Sequence, residues 1–316
     1  MNKLALACGI LLCLPIALAF RNSDDLTLNA LIWEPELLAT YELPEDFEKN
    51  WTIVGDQMAA YSYEVTNRDY HAFLQYLETS GQTGALQKFT PRIPNDQSVP
   101  TPVKLPTASY LDEATANHPV VGITHDAAQA FCQFWQAVYE QTWPEKGREL
   151  SEAFFRLPTQ VEWQSAAIGQ DEFEGSIWKV KSHKPRGMFK AKYEIDPTSF
   201  EFRYPWWEYA MPTPAQPYNE NGCYLGNFDS PNMPTGPCAA RGDGYTFTGP
   251  VDTYFPMYGL YNMAGNVAEM LAQPGLAEGG SWGHSPEEST IESQQTYSGA
   301  DARVGFRVFA EIRLNK

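Results

Sequence analysis

The chain has 316 residues, of which 43% are hydrophobic and 14% aromatic, so it can bury a sizeable core. Its formal net charge of −17 at pH 7 argues against binding to nucleic acid or to an anionic membrane surface, because both carry the same sign. The 24 prolines and 23 glycines indicate many loops and turns.

The first residues have the pattern of an export signal. Lys3 precedes a mostly apolar run, and small residues around Ala19 suit cleavage by a signal peptidase. We therefore expect a signal peptide over residues 1–19 and an exported protein, periplasmic or in the cell envelope. An uncleaved anchor and a lipid anchor on Cys8 are the less favoured alternatives. No later stretch is long and apolar enough to cross a membrane, so no span is expected after cleavage.

Residues 20–50 form a polar lead-in, and the first clear helix pattern follows Thr66. The Thr66 hydroxyl can cap the first turn, with Asp69 three residues on. Apolar side chains then recur on one helical face: Tyr70, Phe73, Leu74 and Leu77. Gly81 ends the predicted helix.

Two further helices are predicted after a proline-rich stretch. Residues 82–118 have little periodicity and are expected to form a long loop. A short strand over 118–123 leads to a helix capped by Thr124. The third helix begins at Thr159, which forms a Thr-x-x-Glu capping box with Glu162.

The second half of the chain is poor in regular patterns. Between residues 169 and 259 aromatic residues, prolines and glycines dominate. Cys223 and Cys238 flank part of this stretch and are the expected disulfide, with three reduced cysteines as the alternative. Cys132 lies in the second helix pattern and is expected to be a buried free thiol. No repeat or linker divides the chain, so one domain is predicted over residues 51–316.

Several short segments carry the strongest functional signal. They are EVTN at 64–67, PVVGITHDA at 119–127, RLPTQVEW at 156–163, YPW at 204–206, YGLYNMAGNVAEM at 258–270, GGSW at 279–282 and GFRV at 305–308. Taken in order, they resemble the formylglycine-generating-enzyme (sulfatase-modifying-factor) family. The resemblance implies a single α+β domain of C-type-lectin-like character, with long loops and low regular secondary structure.

The resemblance also implies two calcium sites. Amide and carboxylate oxygens with nearby carbonyls form a hard ligand set, which suits calcium. The first site maps to the GNVAE segment: Gly265, Asn266, Val267 and Glu269. The second maps to two loop positions further upstream: Asn227 with Phe228, and Asp243 with Tyr245. The alternative interpretation is that Asn266 caps a turn, that Glu269 is a solvated helix residue, and that Asp243 lies in a plain surface turn.

The catalytic position of the family is altered. Its oxygen-using members hold copper through two cysteines after GGS, and thiolates suit Cu(I). In this chain those positions are His284 and Ser289, and no cysteine follows Cys238. Copper or iron is therefore not expected. A carboxylate–histidine iron site is the conceivable alternative, formed by His284 with nearby glutamates: Glu287, Glu288 and Glu292.

We predict a non-catalytic, calcium-stabilised member of the family that acts as a binding or assembly component. Residues 222–228 (GCYLGNF) resemble a segment of gliding-motility and secretion lipoproteins of the cell envelope, which suggests a protein or peptide partner there. Glu278 stands where the family usually has arginine, which indicates a rebuilt substrate groove. The alternative is a formylglycine-generating-type or non-haem-metal oxidase with altered ligands.

Overall fold

The structure, a computed structural model, describes residues 28–55, 57–94, 99, 103–142, 153–169, 204–206, 216–219, 222–229 and 244–312. Within these residues the predicted α+β class is confirmed, because short strands and helices share one packed unit with many irregular loops. No helix in the described ranges is long and apolar enough to cross a bilayer. Part of the lead-in packs on this unit, since Leu38 of α1 (Pro35–Leu38) and Phe47 are buried in its main core.

Three helices begin where the sequence predicts. They are α2 (Asn67–Thr79), α4 (His125–Thr142) and α5 (Gln160–Ile168). The capping boxes at Thr66 and Thr159 are both formed, which satisfies backbone N–H groups in the first turns of α2 and α5. Cys132 on α4 is free and buried, as predicted. The expected disulfide stays a prediction, because Cys238 lies outside the described residues.

Two local predictions between α2 and α4 are wrong. The predicted loop contains a helix, α3 (Thr83–Phe89). Its sequence lacks a clear helical pattern of apolar residues, but tertiary packing stabilises it: the buried Phe89 ring stacks on Phe73 at 6.1 Å between centroids. The strand expected over 118–123 is instead irregular, with one isolated bridge from Thr66 to Pro119. Gly122 has φ of +71°, which interrupts the extended run, and a Cβ there would lie 2.9 Å from the Arg92 carbonyl oxygen.

The first sheet is antiparallel and consists of β1 (Trp51–Gly55), β2 (Met58–Tyr61), β3 (Ala153–Arg156) and β8 (Phe309–Ile312). The order of these strands in the sheet is β1-β2-β8-β3. Ala310 on β8 faces the aromatic core formed with α2 and α4, whereas Phe309 faces a second core with Trp163 of α5. The sheet is therefore packed on both faces at Phe309 and Ala310, whereas Ile53 of β1 and Phe154 of β3 are exposed.

The second sheet is small and consists of β4 (Ala268–Met270), β5 (Leu276–Glu278), β6 (Gln294–Thr296) and β7 (Val304–Gly305). The order of these strands in the sheet is β6-β5-β4-β7. In register, Glu269 lies opposite Glu278, and Glu278 lies opposite Gln294. This sheet places the GNVAE and GGSW segments side by side beneath α5.

Candidate functional site

The GNVAE turn is held against the segment that contains Asn227. Gly265 and Asn266 both have left-handed backbone angles, with φ of 82° and 63°. A Cβ at Gly265 would lie 2.5 Å from the Asn227 carbonyl oxygen, so only glycine permits this approach. Asn266 N–H donates to the same carbonyl oxygen at 2.9 Å. The two predicted calcium sites are thus neighbours.

A network of buried amide side chains joins these segments. Asn266 Oδ1 accepts from Gly249 N at 2.8 Å and from Asn227 Nδ2 at 3.2 Å. Its Nδ2 donates to Glu64 Oε1 at 3.0 Å. The Asn262 Nδ2 group also donates to this carboxylate, at 2.8 Å from Oε2. Asn266 is therefore the centre of a polar cluster rather than the cap of an isolated turn.

Glu64 and Asn262 are members of this cluster that the sequence analysis missed. Glu64 is fully buried, and this burial raises the pKa of its carboxyl to about 8, although Arg307 opposes the shift. Asn262 has φ of 54°, and its Oδ1 is buried without a hydrogen-bond partner among the described residues. Both residues lie inside segments that resemble the family, so the sequence marks these segments as important. The sequence of neither segment indicates which distant residue its polar side chain contacts.

Glu269 is paired inside the protein. Its carboxylate accepts from Arg307 Nη2 at 2.6 Å and from Trp163 Nε1 at 2.7 Å. Arg307 also donates to the carbonyl oxygens of Tyr61 and Tyr261, at 2.9 and 2.6 Å. Glu269 is 1% exposed and lies in β4, so the interpretation of it as a solvated helix residue is wrong.

The two expected calcium sites fit the structure differently. At the GNVAE site, Asn266 Oδ1 and the Glu269 carboxylate are both occupied by protein donors, so these side chains do not form a free ligand set. At the other site, Asn227 Oδ1 is buried and has no partner within the described residues. An orphaned amide oxygen of this kind suits a hard cation. Asp243, its expected co-ligand, lies outside the described residues, and calcium therefore stays a prediction.

The side chains of the other two expected ligands of that site, Phe228 and Tyr245, pack against different parts of the protein. Phe228 is buried in a small aromatic cluster with Trp206. Tyr245 contacts Gly249, where a Cβ would lie 3.0 Å from its ring. Val267, expected to offer a carbonyl oxygen, has its side chain against Gly305 of β7. All three hold the loops together.

The loop after GGSW, which holds His284 and Ser289, is closed by its own hydrogen bonds. Ser281 Oγ lies 2.8 Å from His284 Nδ1 and accepts from Gly283 N–H at 3.2 Å. Ser289 Oγ donates to the Ser285 carbonyl oxygen at 2.9 Å. Because Ser281 Oγ already accepts one N–H, its own proton is available for His284 Nδ1. The two residues expected at the family's thiolate positions, His284 and Ser289, therefore take part in the loop's own hydrogen bonds.

Burial and charged neighbours shift the pKa of His284. Burial and the nearby Arg303 guanidinium lower the pKa of His284, while Glu288 and Asp301 oppose this shift. Glu287 and Glu288 are exposed, and a Glu288 carboxylate oxygen accepts from Ser285 N at 3.0 Å. In the described parts of the chain, no group of three or more His, Cys, Asp or Glu side chains is arranged to hold a metal ion. The structure therefore does not assemble the carboxylate–histidine set considered from the sequence.

Glu278 has a different environment from Glu269. It is fully buried, and Gln160 Nε2 donates to its Oε1 at 2.8 Å. Its Oε2 has no hydrogen-bond partner among the described residues. Burial raises the pKa of Glu278 to about 7, and the opposing groups are neutral amides: Gln160, Gln164 and Gln294.

The sequence of the chain matches one protein family and one curated relative. The profile of the sulfatase-modifying factor enzyme 1-like domain matches residues 48–312. A protein of Thermomonospora curvata named "Formylglycine-generating enzyme" is 31% identical over 168 residues, which cover 53% of this chain. The alignment spans only 36% of that relative's own length.

Solved structures of three proteins also align with the chain. The Treponema denticola variable protein 1 is 16% identical, with 80% of this chain and 84% of the other covered and a TM-score of 0.45. PvdO from Pseudomonas aeruginosa is 18% identical, with 81% and 80% covered and a TM-score of 0.43. CarF is 20% identical, with 81% and 87% covered and a TM-score of 0.46.

Proposed function

Because the chain belongs to the family of sulfatase-modifying factor enzyme 1-like domains, we propose that it uses this fold for binding and not for catalysis. The supporting observation is the closed loop at the former thiolate positions. His284 is held by Ser281 and Ser289 by Ser285, so both side chains serve the loop's own structure. Neither residue supplies a thiolate for Cu(I).

The proposed setting is the cell envelope, with a protein or peptide as partner. The export pattern at the N-terminus and the likeness of residues 222–228 to envelope lipoproteins support this placement. The net charge of −17 disfavours nucleic acid as the partner.

Calcium is proposed to stabilise the loops around Asn227. The buried, unpartnered Oδ1 of Asn227 supports a hard cation at that place. An Asn227→Ala variant should bind calcium more weakly and gain less thermal stability from added calcium, because ion binding contributes to folding. Asn219→Ala, in the same stretch of chain, is the matched control. An equal calcium response in the wild type and in Asn227→Ala would exclude a ligand role for Asn227.

The second candidate function is an oxidase with altered ligands. It is favoured by the relative named "Formylglycine-generating enzyme" and by the imidazole of His284 at a former ligand position. In such an enzyme His284 would ligate the metal through Nε2, because Nδ1 lies against Ser281 Oγ. The metal would supply the redox chemistry.

One experiment separates the two candidates. The purified full chain is assayed for bound copper, iron and calcium, and for turnover of a cysteine-containing sulfatase peptide. The binding proposal expects neither stoichiometric redox metal nor turnover. A double variant, His284→Cys with Ser289→Cys, is the matched control that restores two thiols to the loop. Stoichiometric copper or iron with turnover in the wild type would overturn the proposal in favour of the oxidase.

A further inference from the structure

Glu278 is a buried carboxylate for which the described residues provide no positive partner. Its Oε1 is bonded by Gln160, and its Oε2 is orphaned. Glu269, directly opposite in the sheet, has Arg307 as its counter-charge. A buried carboxylate without a counter-charge destabilises a protein unless a proton or a cation neutralises its charge.

The covering over Glu278 consists of flexible amide side chains. Gln160 and Gln294 are exposed, and Gln164 is half-buried, so the carboxylate lies just below the protein surface. These side chains come from α5 and from β6. Their amide groups can turn to present either oxygen or nitrogen. Rotation of exposed side chains would open a path to the Glu278 carboxylate.

The oxygen atoms at this place suit an ammonium group. The carbonyl oxygen of Ile291 lies beside Gln164 Nε2 at 3.4 Å, and the amide oxygens of the covering glutamines add further acceptors. An ammonium group has three N–H donors and no acceptor. A metal ion such as calcium usually takes several carboxylates, and only Glu278 is available in this group. The donor set therefore favours an organic cation over a metal.

We propose that Glu278 and its covering glutamines form a recognition site for a basic side chain, lysine above all, on the protein's partner. This inference rests on the proposed binding function and names the chemistry of the partner. The burial that raises the pKa of Glu278 would be offset by the ammonium charge, since opposite charges favour ionisation. The net charge of −17 would steer a basic partner toward the protein.

The first test compares two charge-neutralising variants. Binding of a fluorescein-labelled hexalysine peptide to the full chain is measured by anisotropy at about 0.15 M salt, where the Debye length is about 8 Å. Glu278→Gln should weaken binding about tenfold or more. Glu292→Gln, which removes one exposed carboxylate from the segment between β5 and β6, should change binding less than about twofold. Equal effects of the two variants, or an absence of binding to the wild type, would overturn the proposal.

The second test places the ammonium group within the protein. Gln294 lies opposite Glu278 on the neighbouring strand, so the lysine of a Gln294→Lys variant can reach the carboxylate. This variant should melt a few degrees higher than the wild type and should lose hexalysine binding. Gln294→Met, of similar length and without charge, should not raise the melting temperature and should weaken hexalysine binding less than Gln294→Lys does. An unchanged melting temperature together with retained binding would contradict the site.

A third test repeats the thermal unfolding measurement in different salts, to find out whether a metal ion binds at Glu278. Calcium chloride and sodium chloride are compared with tetramethylammonium chloride at equal ionic strength. The proposal expects equal stabilisation of Glu278→Gln and the wild type by each salt. A calcium or sodium response that Glu278→Gln alone loses would show a metal site and sink the lysine proposal. Such a result would overturn the lysine site but would not change the outcome of the copper, iron and turnover assays. The lysine site and the proposed binding function can therefore fail independently.

Discussion

Around α2 and α4 the interior is aromatic and apolar, whereas around Asn266 and Arg307 it is built from charged and amide side chains. In the first region Phe131 packs edge-on against Phe306 at 5.4 Å between centroids. In the second, the contacts are hydrogen bonds among fully buried groups, such as Asn266 to Glu64. We call these the aromatic region and the polar region. The helices of the first region are stabilised mainly by apolar area buried from water, whereas the loops of the second depend on specific hydrogen-bond partners for most of their buried polar atoms.

The comparison predicts that the polar region is the more sensitive to loss of one group. Arg307→Leu should destabilise the protein by about 3–5 kcal/mol, because it leaves the buried Glu269 carboxylate without its counter-charge. Urea unfolding measures this loss. Arg156→Leu, at the half-buried ion pair with Glu162, is the control and should cost about 1 kcal/mol or less. Equal losses would show that the polar region is no more sensitive than this half-buried ion pair.

The aromatic region should respond to lost volume. Leu74→Ala on α2 removes a fully buried side chain and should cost about 2–4 kcal/mol through lost burial and the cavity left behind. Val161→Ala on α5, which is 58% exposed, should stay within about 0.5 kcal/mol of the wild type. Denaturant midpoints of the two variants test this. A costly Val161→Ala would show that the side chain is covered in solution.

A smaller effect is expected at the start of α2. Thr66→Ala removes the hydroxyl that accepts from Asp69 N and should cost about 1 kcal/mol. Thr66→Ser keeps the hydroxyl and should cost clearly less. Thermal unfolding of the two variants resolves the difference. If serine and alanine are equally damaging, methyl packing and not capping holds this helix end.

The smallest effect should come from His284. Its folded pKa lies below the ordinary value of 6.5, so its contribution is present above pH 6.5 and is lost as the pH falls through the folded pKa. His284→Gln should therefore flatten part of the decline in stability between about pH 7 and about pH 5. Urea midpoints across that interval give the comparison. Parallel declines in both proteins would place the acid sensitivity in other groups.

The same division explains what the sequence could predict. α2, α4 and α5 were predictable because their caps and apolar spacing are local, as at Thr159 and Glu162. The polar region depends on pairs distant in sequence: Glu64 and Asn266 are separated by 202 residues. A single sequence contains no signal that joins them. The pairing of Glu269 with Arg307 has no local signal in the GNVAE segment, and calcium binding there stays a prediction.

The position of β8 has a consequence for how the protein reaches this structure. β8 (Phe309–Ile312) lies between β2 and β3, so it joins strands that do not pair with each other. Its pairing with Ala60 links residues near the two ends of the described chain. Contacts of such high sequence separation slow folding. During synthesis the first sheet stays incomplete until the ribosome has released residues 309–312, and a chain shortened before Phe309 would keep only the β1–β2 hairpin of that sheet.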